Sequence, residues 1–148
     1  MKNNENHIFV DTNCIISYLA DKYSLVKSKY QSDTIALKYL LSLNGKKLYL
    51  SSLTIAQVTA KLQPKLGADV MTKEIEALLN RFDIIEFNEK DIRSALRNPL
   101  AKDIEDLYQY ELSQKVKCFY IMTNNTKDFS ALLNIVAFVP AKVRKTIF

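Results

Sequence analysis

His7-Ile-Phe-Val-Asp11, with Thr12 and Asn13 directly behind it, decides the fold class of this chain. Ile8, Phe9 and Val10 are β-branched or aromatic, and so short an unbroken apolar run predicts a buried strand. The strand ends in an acid, and Thr12 and Asn13 supply capping residues for a helix through Ile15, Ile16 and Leu19. A buried strand passing straight into a helix is the opening unit of a parallel sheet with crossover helices. In open sheets of that kind ligands bind beyond the carboxyl ends of the strands, which is where Asp11 falls.

The remaining pattern repeats the alternation. A helix is predicted through Ile35, Leu37, Tyr39, Leu40, Leu41 and Leu43, stopping at Asn44-Gly45, and Lys47 to Ser51 reads as the second strand. Thr54 opens a helix with Ile55, Val58 and Leu62 on one face, ended by Pro64 and Gly67. Residues 69 to 81 read as helix, Asp83 to Phe87 as a third strand, Glu89 to Leu96 as helix and Asp103 to Lys115 as helix. Cys118 to Met122 makes a fourth strand, and Asn134 to Val139 a fifth after a loop around Asn124 to Asp128. The expectation is a three-layer α/β/α domain spanning residues 1–148, with a parallel sheet of about five strands and no linker or repeat.

A chain of 148 residues, 48% hydrophobic and 25% charged, has an ordinary globular composition and is long enough for a real core. Cys14 and Cys118 sit in apolar stretches without CxxC or Cys/His spacing, which reads as reduced, buried thiols and a cytoplasmic location. Met1 to His7 is polar and the apolar run behind it is too short for a signal peptide or a membrane span. The net charge of +5 favours polyanionic partners. His7 is the only histidine and stands ahead of the acids, so Ser-His-Asp and Cys-His catalysis lack a base, and no GxGxxG or GxxxxGK[ST] motif supports a nucleotide cofactor.

Three chain segments can bring carboxylates to one sheet edge: Asp11 after the first strand, Asp103 and Asp106 at the start of a helix, and Asp128 after the fourth strand. Oxygen ligands of this kind suit a hard cation such as Mg²⁺. Each acid also has a plainer reading. Asp11 can cap its helix, Asp103, Glu105 and Asp106 can complement a helix dipole, and Asp128 can be a surface acid. With Ile104, Leu107, Tyr108 and Leu112 taken as the core face, Asp106 points away from the centre of that face and reaches a metal only if the first turn overhangs the sheet.

Together these segments resemble the PIN-domain family, which includes the VapC-like ribonuclease toxins of toxin–antitoxin pairs. Ile8 to Asn13 is similar to the family's opening strand and first metal-binding acid, Asp11, with Thr12 and Asn13 as polar supports. Asp103 to Gln109 resembles a DFEDALQ-like segment whose final acid corresponds to Asp106. Met122 to Phe129 resembles ITRNxKDF, which carries over Thr123, Asn125 and Asp128. Two positions depart from the pattern. Gln57 stands where the family usually has a second acid, and Asn124 replaces the arginine of TRN. Gln57 also fits a capping box with Thr54, its amide reaching back to the Thr54 backbone.

The resemblance implies that Asp11, Asp106 and Asp128 hold one or two Mg²⁺ or Mn²⁺ ions, with Asp103 nearby and Gln57 a weak neutral ligand or positioning group. It further implies an RNA substrate, 5′-phosphate products, a homodimer and a short antitoxin partner. Lys61, Lys65, Lys127, Arg93 and Arg97 are candidates for backbone contacts, and each also reads as a solvated surface charge. A second hypothesis is a PIN-fold module, degraded at Gln57, that binds RNA or protein without cutting. A third, a phosphohydrolase of the haloacid dehalogenase type, lacks that family's second Asp two residues after Asp11.

Overall fold

The apolar run at the start of the chain becomes the central strand of a five-stranded parallel sheet in the computed structural model, which describes residues 3–26, 31–100, 103–132 and 134–148. Strand β1 (Asn4–Val10) pairs on one side with β2 (Lys47–Ser51), which carries β3 (Asp83–Ile85) at the edge. On the other side it pairs with β4 (Cys118–Met122), which carries β5 (Val136–Phe138), giving the order β3-β2-β1-β4-β5.

Alternation along the central strands builds a core on each face. Ile8, Val10, Leu48 and Leu50 point to one side, where they meet apolar residues of α1 (Thr12–Lys22), α2 (Gln31–Ser42), α3 (Ser52–Leu66) and α4 (Ala68–Arg81). Phe9, Tyr49 and Ile121 point to the other, against α5 (Glu89–Leu96), α6 (Ile104–Lys115) and α7 (Thr126–Phe129). The sheet is thus sandwiched between helical layers, as the alternation predicts. Both cysteines are buried and unpaired, and burial pushes the Cys118 thiol up to about 12. Among the described residues no helix is long and apolar enough to cross a membrane.

Several boundaries differ from the sequence expectation. Strand β1 starts three residues earlier, at Asn4, and His7 within it has its Nδ1 2.8 Å from the Val116 carbonyl oxygen. Strands β3 and β5 are shorter than predicted, because only three residues of each find ladder partners. The segment around Asn124 to Asp128 holds α7 where a loop was expected. A 3-10 turn (Pro140–Lys142) and α8 (Val143–Thr146), which no sequence signal announced, bury Val143 and Ile147 in the first core.

Helix α3 begins two residues before the expected start. Its cap is Ser51, whose hydroxyl accepts from the Thr54 N–H at 3.2 Å, so Thr54 is already inside the helix and the Thr54/Gln57 capping box does not form. Pro64 sits inside the last turn, and the helix ends at Gly67, whose φ of 84° suits glycine. Because Ser51 is fully buried, Ser51→Ala leaves an orphaned N–H at the helix start. It should cost about 1 kcal/mol by urea denaturation. A loss under about 0.3 kcal/mol would mean that water caps the helix equally well.

Candidate functional site

The carboxyl ends of β1, β2 and β4 lie along one edge of the sheet, and each strand is followed there by polar residues. Asp11 leaves β1 as the cap of α1. One carboxylate oxygen accepts from the Thr12 N–H at 2.8 Å, and the other accepts from the Thr123 hydroxyl at 2.7 Å and the Asn13 amide at 3.2 Å. The plain reading of Asp11 as a cap is therefore correct, and the same carboxylate lines a cleft of about 660 Å³. Burial raises its pKa against the opposing pull of the Thr123 and Thr12 hydrogen bonds, and Glu105 adds to the rise.

Helix α6 delivers the other acids. Asp103 is its cap, accepting from the Asp106 N–H at 3.1 Å, and Asp103, Glu105 and Asp106 all line the cleft with Asp11. Asp106 is only 8% exposed, which corrects the helical-wheel expectation. Leu107 and Leu112 are buried as expected, but Ile104, taken there as a core residue, is 53% exposed, and the buried surface of α6 extends to Asp106, Gln109, Tyr110 and Ser113 at i, i+3, i+4 and i+7. Burial, followed by the nearby Asp11, Asp103 and Asp128 carboxylates, pushes Asp106 up to about 7.

A chain of hydrogen bonds ties these acids together. The Thr123 hydroxyl, bonded to Asp11, accepts from the Asn125 N–H at 3.0 Å, and the Asn125 amide donates both to Asp106 at 3.0 Å and to Asp128. Asp128 is not itself in the cleft lining and joins the group through Asn125. Asn124 turns elsewhere, donating at 2.8 Å to the buried Asp33 of α2.

Gln57 and Gln109 complete the floor. The Thr12 hydroxyl donates to Gln57 Oε1 at 2.8 Å and accepts from Gln109 Nε2 at 2.8 Å, while Thr12 Oγ1 and Thr54 Oγ1 are also 2.8 Å apart. Gln109 and Glu105 have no role assigned from sequence. The available signal was spacing, since Gln109 stands three residues after Asp106 and four after Glu105, and helix positions three or four apart are neighbours. Gln109 is buried, and its Oε1 has no hydrogen-bond partner among the described residues. Of the five basic candidates only Lys61 lines the cleft. Lys65, Lys127, Arg93 and Arg97 are exposed outside that lining, Arg93 being paired with Glu89 at 3.2 Å.

The available donors suit a hard divalent cation. All are oxygens, and the burial and crowded negative charge that push Asp106 up to about 7 are what a bound cation would offset. The group is not preset for one, because among the described residues no three His, Cys, Asp or Glu side chains stand together at metal-ligand spacing.

A parallel sheet that brings an acid from the end of its central strand, an Asn from beyond the neighbouring strand and acids from one helix start into a single cleft defines a PIN-type α/β protein. Residues 8–132 match the family model of the PIN domain, and the chain belongs to that family. It is 27% identical over 139 residues to Ribonuclease VapC1 of Aquifex aeolicus (strain VF5), covering 90% of this chain and 91% of that one. Among solved structures it resembles a chain of VapBC2 from Rickettsia felis bound to a promoter DNA fragment. The TM-score is 0.62 at 20% identity, covering 90% of this chain and 98% of that one. A toxin–antitoxin complex from Klebsiella pneumoniae contains a similar fold, with a TM-score of 0.62 at 21% identity and coverage of 87% and 95%. At those identities the structural likeness concerns the fold alone.

Proposed function

We propose that this protein is a divalent-metal-dependent endoribonuclease and the toxin of a toxin–antitoxin pair, working in the cytoplasm as a homodimer with a short antitoxin partner. The observation that carries the reading is the meeting of Asp11, Asp103 and Asp106 in one cleft, with Asp128 joined to Asp106 through Asn125. The resemblance to a curated ribonuclease over nine-tenths of both chains supports the same chemistry.

In this reading Asp11, Asp106 and Asp128, with Asp103 beside them, hold Mg²⁺ or Mn²⁺. When bound, the cation lowers the pKa of water for in-line attack on phosphorus and neutralises charge on the leaving 3′ oxygen. The chain's own part is positional. Thr123 and Asn13 fix the Asp11 carboxylate and Asn125 holds Asp106 beside Asp128, so Asp11 and Asp106 are held at the cleft before substrate arrives. Gln57, neutral where the family usually has an acid, is the feature that favours the second reading, a module that binds RNA without cutting.

The test is a labelled single-stranded RNA incubated with the purified protein. Cutting is expected with Mn²⁺ or Mg²⁺, with 5′-phosphate ends, and none in EDTA. Cutting that persists in EDTA overturns the metal mechanism, whereas tight RNA binding with no cutting under any divalent cation favours the binding module.

A further inference from the structure

We propose that Gln57 and Lys61 form the phosphate-holding wall of the cleft, Gln57 donating its amide N–H groups to a backbone phosphate oxygen of the RNA and Lys61 supplying the charge. This inference rests on RNA being the substrate, and it gives Gln57 a positioning role distinct from that of a metal ligand.

The orientation of the Gln57 amide carries the argument. A hydroxyl has one proton, and that of Thr12 goes to Gln57 Oε1, so Thr54 is the donor across its 2.8 Å contact with Thr12. Gln109 Nε2 donates to the same Thr12 oxygen at 2.8 Å and lies 3.3 Å from that of Thr54. Thr12 is thereby saturated, and Gln57 Oε1 is held against it. The opposite arm of the amide, Nε2, has no hydrogen-bond partner among the described residues, although Gln57 lines the cleft. An amide nitrogen donates two N–H bonds and offers no lone pair to a hard cation, so this arm calls for an acceptor.

The surroundings say which acceptor. Lys61 lies one turn further along α3, also lines the cleft and forms no ion pair among the described residues. Helix α3 lines the cleft with Gln57, Ala60 and Lys61 and brings no acid, whereas the rest of the lining holds four carboxylates, those of Asp11, Asp103, Glu105 and Asp106. Donors on one wall and acids on the other fit a phosphodiester, whose oxygens can face donors while the acids hold cations.

The experiment measures binding of a fluorescein-labelled single-stranded RNA by anisotropy across a salt series. Ca²⁺ is present to supply divalent charge with a looser coordination shell than Mg²⁺. Lys61→Ala should reduce the slope of log affinity against log salt by about 0.7, the value for one single-strand phosphate contact. Gln57→Met should weaken binding several-fold at every salt concentration, with the slope and the Mn²⁺ affinity by calorimetry unchanged. Lys61 is exposed, so its variant tests the wall even if Gln57→Met folds poorly. Unchanged RNA affinity in a folded Gln57→Met, an unchanged slope in Lys61→Ala, or a loss of Mn²⁺ affinity in Gln57→Met overturns the assignment. A wild-type protein that shows these binding effects but cuts no RNA sinks the nuclease reading and leaves the phosphate wall standing.

Discussion

Asp106→Asn is expected to lower RNA cutting by about 10²- to 10³-fold and, at pH 8 in EDTA, to make the protein more stable than the wild type. The two effects share one cause. The carboxyl of Asp106 titrates at about 7 in the folded chain, held up first by burial and then by Asp11, Asp103 and Asp128. In the unfolded chain it returns to roughly 3.9. Between those values the folded state keeps a proton that the unfolded state has released. Stability is therefore greatest below the lower value, falls as pH rises through the window and is lowest above about 7. The neutral amide removes this penalty, which water in the cleft reduces to about 1–3 kcal/mol. The gain should appear as a melting temperature several degrees higher at pH 8 and nearly none at pH 4. Added Mn²⁺ should narrow the gap, because a cation bound only by the folded wild type stabilises it. Activity within tenfold of wild type, or a variant less stable at pH 8, would defeat the idea that Asp106 is a strained acid kept for catalysis.

Phe9→Ala should be the most damaging single change to stability, costing about 3–5 kcal/mol. Phe9 is fully buried on the central strand and belongs to the core between the sheet and α5, α6 and α7. Its removal leaves a ring-sized void in the middle of the sheet, where neighbouring strands prevent collapse. Against a total stability of about 5–15 kcal/mol this approaches unfolding at body temperature. The urea midpoint should drop sharply with an unchanged slope, and the residual activity of the folded fraction should survive. A loss under about 1 kcal/mol would show that the second core repacks freely. The contrast with Asp106→Asn is the useful part, since one variant loses fold and the other only function.

The fold class was legible because its signals are local. The spans Lys47–Ser51, Glu89–Leu96 and Cys118–Met122 coincide with the sequence reading, each bounded by a change of periodicity or a capping residue. The C-terminal helix and α7 were not legible, being four residues long and held by tertiary packing more than by propensity. The position of Asp11 at the end of β1 followed from the apolar run before it. The burial of Asp106 did not, because α6 buries a face that is half polar, and a hydrophobic wheel locates only the apolar part.

By itself, then, the sequence determined a parallel α/β chain with acids after its strands, since strand and helix periods and caps act within a few residues. Only the tertiary structure decided which of those acids meet, that Asp128 reaches the others through Asn125, and that Gln57 turns its oxygen to Thr12 instead of capping its own helix. Those outcomes depend on contacts between residues such as Thr12, Thr54, Gln57 and Gln109, which lie up to 97 positions apart in a hydrogen bond and share no local pattern. The partner of a buried polar group is set by where the sheet brings strands and helix starts together, because burial compels it to find whichever donor or acceptor the fold has placed there.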